Sequence, residues 1–472
     1  MDAGRAGRAV LAMIVSLHRL LVERIGSALG DELRRKRLIG MLNGVATSLG
    51  NRLLGIVIGF VSVPLTIGYL GQERYGAWIA IGAILAWVGL ADLGLANGLT
   101  NAVTTDASKD RPDRVRMHVS NFLFLMVVLS AAVGAVIAAL WRLPNWQSVF
   151  GLRDLAVVAE VRTSLAVALA LFLARLPLAV ANRIYIAYQE GHIGNYWGAA
   201  GNLLSLAALI AVTRTSGGLP WLVFALSGTP LLVEIASTCW LFGRHRPALR
   251  PSWRRIDRSA FGEVVKVGWQ FFLIQIMALV TFQTDVLVIA HFLGSLAVPA
   301  YNLTYQLFNY ATLPQALLFP YLWAAYNEAI ARGDIPWVRR ALRWSLVGGL
   351  AWSVAAAAVL VAIARPFIGW WAGTNVVPPQ TLVWLMAVWV LINSAMTSLA
   401  CLLAAASHLR YQLIYSAFAT VANLLLSVLL VGRVGVAGVI AATITAYLVF
   451  VCGPASVDVR FLLRRLEQAK RD

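Results

Sequence analysis

Two of the most unusual residues in this 472-residue chain are arginines inside apolar segments. Arg52 lies in LGNRLLGIVIGF and Arg175 lies in ALFLARLPLAV, with Arg183 in the same segment as Arg175. A charge within an apolar segment of a membrane protein is costly, and it usually marks a functional site. A guanidinium fork donates hydrogen bonds in pairs to anionic groups, so these arginines favour an anionic ligand over a cationic one.

Three acids occupy similar surroundings, and they are candidates for coupling to a cation. Asp285 lies in ALVTFQTDVLVIAHF, Glu234 in LLVEIASTCW, and Asp92 beside glycines in LADLGLANG. Intramembrane acids usually face the interior of a helix bundle and mark ion or proton pathways. A structural hydrogen bond from Asp285 to a neighbouring helix, and a cap or gate contact at Asp92, remain open alternatives.

Composition identifies the elements that must position these side chains. The chain is 60% hydrophobic and 13% charged, whereas soluble domains are roughly 25% charged. A helix needs about 20 apolar residues to cross a bilayer, and such segments recur along the whole length. We therefore predict an all-α polytopic membrane protein without a soluble domain. The three cysteines lack CxxC spacing, so neither a disulfide framework nor a metal site is indicated.

Apolar runs separated by loops predict about twelve transmembrane helices. Basic clusters fall in every second loop, which is the positive-inside pattern, so both termini are predicted in the cytoplasm. Anionic lipid headgroups then account for the net charge of +18, without any nucleic acid. Whether the first span begins before Arg52 or after it stays open. The predicted spans lie near residues 41–70, 75–101, 118–141, 163–187, 196–213, 219–243, 267–293, 299–325, 341–365, 380–406, 412–431 and 434–456.

The two halves of the chain resemble each other at nearly one offset. YLGQERYGAW at 69–78 matches FLGSLAVPAY at 292–301, and NLLSLAAL at 202–209 matches NLLLSVLL at 423–430. Six spans per repeat return the chain to the same side, so the repeats predict two parallel six-helix lobes related by a pseudo-two-fold axis along the membrane normal. The predicted regions are a basic amphipathic N-terminus at 1–38, an N-lobe at 39–243, a basic linker at 244–266, a C-lobe at 267–456 and a basic tail at 457–472.

The order and spacing of several motifs resemble those of a known family. The succession PLTIGYLGQERYGAWIAI, LADLGLANGLTNAVT, TDVLVIAHFLGSLAVPAYNLTYQL, FIGWWAG and VGVAGVIAATITAYL resembles bacterial polysaccharide flippases of the Wzx type. These belong to the multidrug/oligosaccharidyl-lipid/polysaccharide (MOP) exporter superfamily. The likeness covers roughly residues 40–456, and NRLLG at 51–55 is also similar to a stretch in the first span of the related lipid II flippases.

The resemblance implies a flippase that moves undecaprenyl-diphosphate-linked oligosaccharide repeat units across the bacterial inner membrane. It further implies alternating access driven by a proton or sodium gradient, with no bound cofactor. The implied partners are the lipid-linked glycan, membrane lipids and assembly proteins such as a polysaccharide polymerase.

The resemblance also suggests a role for each candidate residue. Arg52, Arg175 and Arg183 would hold the diphosphate, while Asp285, Glu234 and Asp92 would couple the cation. The stretch AYNLTYQLFNYATLPQ would contact the sugars, and interhelical hydrogen bonds with an aromatic belt are the structural alternative for it. The side chains proposed for sugar contact are Asn302, Tyr305, Gln306 and Asn309.

Two other functions remain as alternatives. A cation-coupled multidrug exporter of the same superfamily would favour acidic and aromatic cavity residues for cationic drugs, and intramembrane arginines argue against it. A membrane-embedded glycan polymerase or ligase commonly places catalytic residues on a sizeable outer loop. The longest predicted outer loop, at 142–162, has no acidic pair of that kind, so the sequence predicts a transporter and not an enzyme.

Overall fold

The computed structural model describes residues 32–89, 95–152, 154–252, 276, 279, 283–406 and 410–468. Every regular element within these ranges is a helix. The prediction of an all-α polytopic protein is therefore confirmed. Asp92, residues 1–31 of the predicted N-terminal region and residues 253–266 of the predicted linker lie outside the described residues.

Seventeen helices in the described ranges are used below, and short 3-10 and π-helical turns join several of them. In chain order they are α1 Glu32–Val88, α2 Leu95–Ser108, α3 Pro112–Leu140, α4 Trp146–Phe150, α5 Leu155–Arg175, α6 Ala179–Ala187, α7 Gly191–Val212, α8 Gly218–Val223, α9 Thr229–Trp240, α10 Gln283–Leu293, α11 Val298–Asn309, α12 Leu313–Ala331, α13 Ile335–Ala372, α14 Gln380–Ala405, α15 Arg410–Val434, α16 Val436–Tyr447 and α17 Gly453–Gln468.

Nine helical segments among the described residues are long and apolar enough to cross a membrane. The first, Ala46–Val88, overlaps both of the first two predicted spans, so the nine segments correspond to ten predictions. The seventh prediction overlaps the shorter apolar helix α10, and the eighth corresponds to α11 and α12. A count of twelve is thus plausible without being exact. The second span was predicted to reach residue 101, whereas α1 ends at Val88 and α2 begins at Leu95.

Large apolar side chains on the outside of the helices fit a bilayer better than water. In α1, Leu53, Val57 and Val61 are exposed, and their spacing of four residues places them on one face. In α15, Val421 and Leu425 repeat the arrangement. Contiguous apolar faces of this kind are rare on soluble monomers, so they support a multi-pass membrane protein.

Two glycine turns recur at corresponding places of the predicted repeat. Gly71 interrupts α1 with φ 76° and ψ 169°, and Gly294 follows α10 with φ 84° and ψ 160°. This backbone region is essentially restricted to glycine, because a Cβ would clash with the neighbouring peptide. The two motifs YLGQERYGAW and FLGSLAVPAY therefore encode the same turn, which supports the internal repeat.

The chain forms two compact units, each drawn from three segments. The first unit comprises Met1–Leu65, Leu90–Trp141 and Ser164–Phe272. The second comprises Thr66–Gly89, Arg142–Thr163 and Leu273–Asp472. These boundaries differ from the predicted lobe boundaries, because two segments of the predicted N-lobe group with the second unit.

Hydrogen bonds within the second unit explain that grouping. Gln72 Nε2 donates to the Leu296 carbonyl at 2.7 Å, and Ser295 Oγ donates to the Phe150 carbonyl at 2.5 Å. Each bond joins a segment from the first half of the chain to the stretch that follows α10. Contacts between residues so distant in sequence leave no signal in hydropathy, which detects only the spans themselves.

Candidate functional site

The first unit encloses a cavity of about 520 Å³. Its walls come from α1, α5, α6, α7 and α9, together with the turn between α5 and α6. Aromatic contact is available from Tyr185 and Trp197. The charged and amide side chains that line it are Asn51, Arg175, Asn182, Arg183, Asn202 and Glu234.

Arg175 is the last residue of α5, where a long membrane helix is interrupted. Pro177 follows two residues later, and proline both lacks a backbone donor and disfavours the helical conformation of the residue before it. The chain turns, with the Leu178 N–H donating to the Arg175 carbonyl at 3.0 Å, and α6 then begins at Ala179. Interrupted helices of this kind commonly form binding sites in transporters.

Both carboxylate oxygens of Glu234, on α9, accept hydrogen bonds from one edge of the Arg175 guanidinium. Arg175 Nε donates to Glu234 Oε2 at 3.0 Å, and Nη2 donates to Oε1 at 2.5 Å. The side chains are 38% and 36% exposed, so the pair lies at the cavity surface and not in a sealed core. The sequence placed these residues in separate roles, and the structure brings them together as one ion pair.

Three asparagine amides form the neutral polar part of the wall. Asn202 Nδ2 donates to Asn51 Oδ1 at 3.3 Å, which joins α7 to α1. Glycine at position 194 leaves room for the third amide, since a Cβ there would lie 2.4 Å from Asn182 Oδ1. Sequence reasoning missed all three asparagines because a neutral amide disturbs hydropathy far less than a charge does.

The two remaining arginine candidates lie in different places. Helix α1 begins at Glu32, so Arg52 lies well inside a helix. Whether the membrane-spanning part of α1 begins before or after Arg52 stays open. Asn51 lines the cavity, whereas Arg52 is exposed and does not line it. Arg183 on α6 does line it. Substrate contact by Arg52 remains a prediction.

The second unit contains a buried polar cluster around Asp285, which is only 4% exposed. Tyr301 Oη donates to Asp285 Oδ2 at 2.8 Å, and Thr443 Oγ1 donates to the same oxygen at 3.5 Å. Asn423 also hydrogen-bonds the Asp285 carboxyl group. The structural hydrogen bonds considered for Asp285 are therefore present, and they come from three helices, α11, α15 and α16.

Several oxygen atoms converge at this cluster. Thr443 Oγ1 lies 3.1 Å from Asn423 Oδ1 and 3.2 Å from the Val439 carbonyl oxygen. Ser427 Oγ lies 3.4 Å from Asn423 Oδ1. Carboxylate, carbonyl and hydroxyl oxygens suit hard cations, and a buried carboxylate also becomes neutral by taking up a proton. The cluster can therefore hold a small cation or a proton.

The polar side chains after Tyr301 lie on the less buried side of α11. Asn302 and Gln306 are partly exposed and Asn309 is exposed, while Leu307 is buried. Tyr305 stacks on Tyr301 with ring centroids 6.3 Å apart, which places it beside the Asp285 cluster. Sugar contact by these residues remains a prediction.

Comparison with known proteins gives a consistent family. A family model described as "Polysaccharide biosynthesis protein" matches residues 41–326. The "Putative O-antigen export protein" of Yersinia pseudotuberculosis is 22% identical over 299 residues, which are 61% of this chain and 65% of that relative. The chain thus matches slightly less than two thirds of the length of that curated relative.

Solved structures extend the similarity over nearly the whole chain. An inward-facing multidrug resistance MATE family transporter of the MOP superfamily superimposes with a TM-score of 0.76 at 14% identity, over 87% of this chain and 95% of that chain. The lipid II flippase MurJ, in an inward closed conformation, superimposes with a TM-score of 0.64 at 12% identity, over 89% of this chain and 86% of that chain. At such identities the similarity is one of fold.

Proposed function

Because this chain belongs to the polysaccharide biosynthesis protein family and has the fold of MOP-superfamily transporters, we propose that it is a flippase for undecaprenyl-diphosphate-linked oligosaccharide repeat units. It carries them across the bacterial inner membrane for surface polysaccharide synthesis. The observation that carries the proposal is the arginine- and asparagine-lined cavity of the first unit. The family and fold are those of transporters, and no enzymatic step is proposed.

Arg175 and Arg183 provide positive charge where the diphosphate would bind. Both line the cavity, and a guanidinium suits phosphate because its fork donates two parallel hydrogen bonds. The isoprenoid tail can stay in lipid during transfer, so the cavity has to take only the diphosphate and the sugars next to it. A volume of about 520 Å³ is of the size that usually holds a ligand group of this kind.

The asparagine wall suits the sugar. Amides both donate and accept hydrogen bonds, as sugar hydroxyl groups do, and Asn51, Asn182 and Asn202 present three of them on three helices. Trp197 on the same wall offers an aromatic face for a sugar ring. A cavity for cationic drugs would be expected to present acids without a cationic partner. In the cavity of this protein, Glu234 is the one acid among the described lining residues, and it pairs with Arg175.

The Asp285 cluster is the proposed site of cation coupling. Its carboxylate, amide and hydroxyl oxygens surround a buried position, and intramembrane acids commonly mark ion pathways. A proton or a sodium ion moving down its gradient would bind there and drive the transport cycle. With positively charged loops on the inside, both termini would lie in the cytoplasm.

Deletion of the gene, followed by lipid analysis, tests the proposal. We expect diphosphate-linked repeat units to accumulate on the inner leaflet and surface polysaccharide to disappear. The wild-type gene should reverse both effects, and so should Arg74→Ala, which changes an arginine of the second unit that pairs with Glu160 outside the cavity. If the deletion strain accumulates no lipid-linked saccharide and instead becomes sensitive to cationic drugs, the protein is a drug exporter.

A further inference from the structure

We propose that Glu234 is an internal competitor of the substrate's phosphate for Arg175, and that it promotes release of the substrate. This inference rests on the proposed function, since it requires a diphosphate at Arg175. In the empty cavity the Glu234 carboxylate occupies the Nε and Nη2 donors of the arginine. When the carboxylate returns to these donors after translocation, it displaces the phosphate.

The geometry of the ion pair shows that Glu234 and a phosphate would use the same donors of Arg175. Both oxygens of Glu234 meet two nitrogens of Arg175 at 3.0 and 2.5 Å. A phosphate uses the same bidentate arrangement with arginine. One edge of a guanidinium cannot hold two anions in this way, so a phosphate that takes this edge must displace the carboxylate.

The partial exposure of the Arg175–Glu234 pair allows the two side chains to separate and pair again. The Arg175 and Glu234 side chains are 38% and 36% exposed and both line the cavity, and an ion pair that faces a hydrated cavity is worth less net free energy than its Coulomb attraction suggests. Breaking it therefore costs far less than breaking a buried pair, where the remaining charge is left without solvent. The pair is weak enough to exchange and close enough to re-form, as a competitor requires.

The position of Glu234 is fixed while its carboxylate exchanges. It lies in α9, and Thr238 Oγ1 donates to its carbonyl oxygen at 2.8 Å. A π-helical turn, Phe224–Gly228, comes directly before α9, and such turns are frequent at functional sites. Pro230 and Val233 from the same stretch line the cavity beside the acid. The backbone of Glu234 is therefore positioned so that its carboxylate can reach Arg175 again once the phosphate leaves.

A competitor lowers affinity and raises the rate of release. Without it, the phosphate would be expected to stay longer on Arg175, because dissociation would have to proceed without a replacement anion. Glu234→Gln keeps the shape of the side chain and removes its charge. We expect this variant to bind a polyprenyl diphosphate about fivefold more tightly, which corresponds to the upper range of a solvent-open ion pair.

Binding of farnesyl diphosphate to the full-length protein in lipid nanodiscs measures this effect, with farnesol as the uncharged reference. The variants are Glu234→Gln, Glu234→Ala, Arg175→Gln and the double variant. The matched control is Glu160→Gln, which breaks a similar pair with Arg74 at 2.7 Å outside the cavity. We expect tighter binding in both Glu234 variants, no change in the control, and weak binding whenever Arg175 is replaced.

Flipping of a fluorescent polyprenyl diphosphate in proteoliposomes measures release. We expect Glu234→Gln to lower the maximal rate at saturating lipid while it lowers the half-saturating concentration. An unchanged maximal rate, together with tighter binding, would overturn the role in release. Equal or weaker binding in both Glu234 variants would overturn competition and would make the carboxylate a positioning group for Arg175.

The proposed function fails in a different way. If the wild-type protein binds farnesyl diphosphate no better than farnesol, or if Arg175→Gln binds it as well as the wild type, then no phosphate site exists at Arg175. If the wild type binds, Arg175→Gln does not, and Glu234→Gln equals the wild type, then the phosphate site stands and only the competitor is excluded.

Discussion

The first unit and the second unit each place a carboxylate among hydrogen-bond donors, but they give it very different access to water. Glu234 is 36% exposed at the surface of a cavity and meets a full positive charge. Asp285 is 4% exposed, and its hydrogen-bond partners among the described residues are neutral hydroxyl and amide groups. A carboxylate therefore forms an ion pair at a cavity surface in the first unit. In the second unit a carboxylate is buried, and its described partners are neutral.

Access decides what each site can bind. An open ion pair exchanges its partner at low cost, which suits a large anionic ligand that arrives from solvent or from a leaflet. A closed carboxylate without a cationic partner is costly to keep charged, so it favours a small cation or a proton. This difference in access supports the proposal that substrate binds in the first unit and the coupling ion in the second.

Replacement of Arg175 should have the largest effect. We expect Arg175→Ala to lower polysaccharide export by about thirtyfold or more, because a charge-assisted bidentate contact is lost and Glu234 is left unpaired. Arg175→Lys should keep part of the activity, since it restores the charge without the fork. Immunoblotting of surface polysaccharide at matched protein level measures this. Full activity of the alanine variant would break the comparison.

Asp285→Asn should abolish the response of transport to an ion gradient and slow transport by about tenfold. The folded state should survive, since asparagine has the same shape and still accepts a hydrogen bond from Tyr301. Flipping in proteoliposomes with an imposed pH or sodium gradient tests this, with Asp154→Asn in an exposed loop as the control. A response equal to that of the wild type would remove Asp285 from coupling.

The asparagine wall and the polar side of α11 compete as sugar sites. We expect Asn202→Leu to weaken apparent substrate affinity by about fivefold through lost hydrogen bonds, with a smaller effect on the maximal rate. Asn309→Leu should change affinity less, because Asn309 does not line the cavity. Transport assays over a range of lipid-linked saccharide concentrations compare the two. The reverse order would place the sugar on α11 and in the second unit.

A third acid, Glu190, should affect stability but not transport. Burial raises the pKa of Glu190, but hydrogen bonds from Arg246 and His245 outweigh burial and hold the pKa below its ordinary value of 4.5. The ionised Glu190 carboxylate and its partners therefore stabilise the fold fully above pH 4.5. This contribution is lost as the pH falls through the lowered pKa of Glu190. Glu190→Gln should lower the free energy of unfolding by about 1 kcal/mol at neutral pH. Thermal unfolding of the variant and the wild type should show that this difference in stability disappears in acid.

The smallest effect is expected from Arg52. Its side chain is exposed and does not line the cavity, so Arg52→Ala should change export by less than about twofold, as surface substitutions usually do. Asn51→Leu, one residue earlier, should have the larger effect. Export measured side by side in the two variants decides between them, and a greater loss in Arg52→Ala would restore the role that the sequence predicted for it.

The sequence predicted the helices well, and it made the charged candidates visible, for a physical reason. An apolar run of sufficient length can cross a bilayer only as a helix or in a closed barrel, and a charge inside such a run is visible without a structure. Arg175 and Asp285 were found in this way, and both lie in polar sites. The basic loops and turn motifs supplied the number and order of the spans to within small errors.

The sequence could not predict how the helices are rotated about their axes. Adjacent helical residues differ by about 100°, so Asn51 faces the cavity while Arg52 does not, although only Arg52 stands out in the sequence. Arg175 and Glu234 meet across 59 residues, and such a contact depends on how α9 packs against α6 and α7. Asn423 and Thr443 were overlooked as site residues, although both lie in the repeat and family motifs that the sequence analysis singled out.

The buried Asp285 cluster also has a consequence for how the protein is made. Thr443, which hydrogen-bonds Asp285, follows it by 158 residues, so at roughly 5–20 residues per second the ribosome needs about 8–32 s to reach it. During this interval the hydrogen bond from Thr443, on α16, to Asp285, on α10, cannot form. Chains truncated before α15 should therefore insert α10 inefficiently, and Asp285→Asn should improve its insertion. On this expectation, α10 inserts fully only after α15 and α16 have been synthesised.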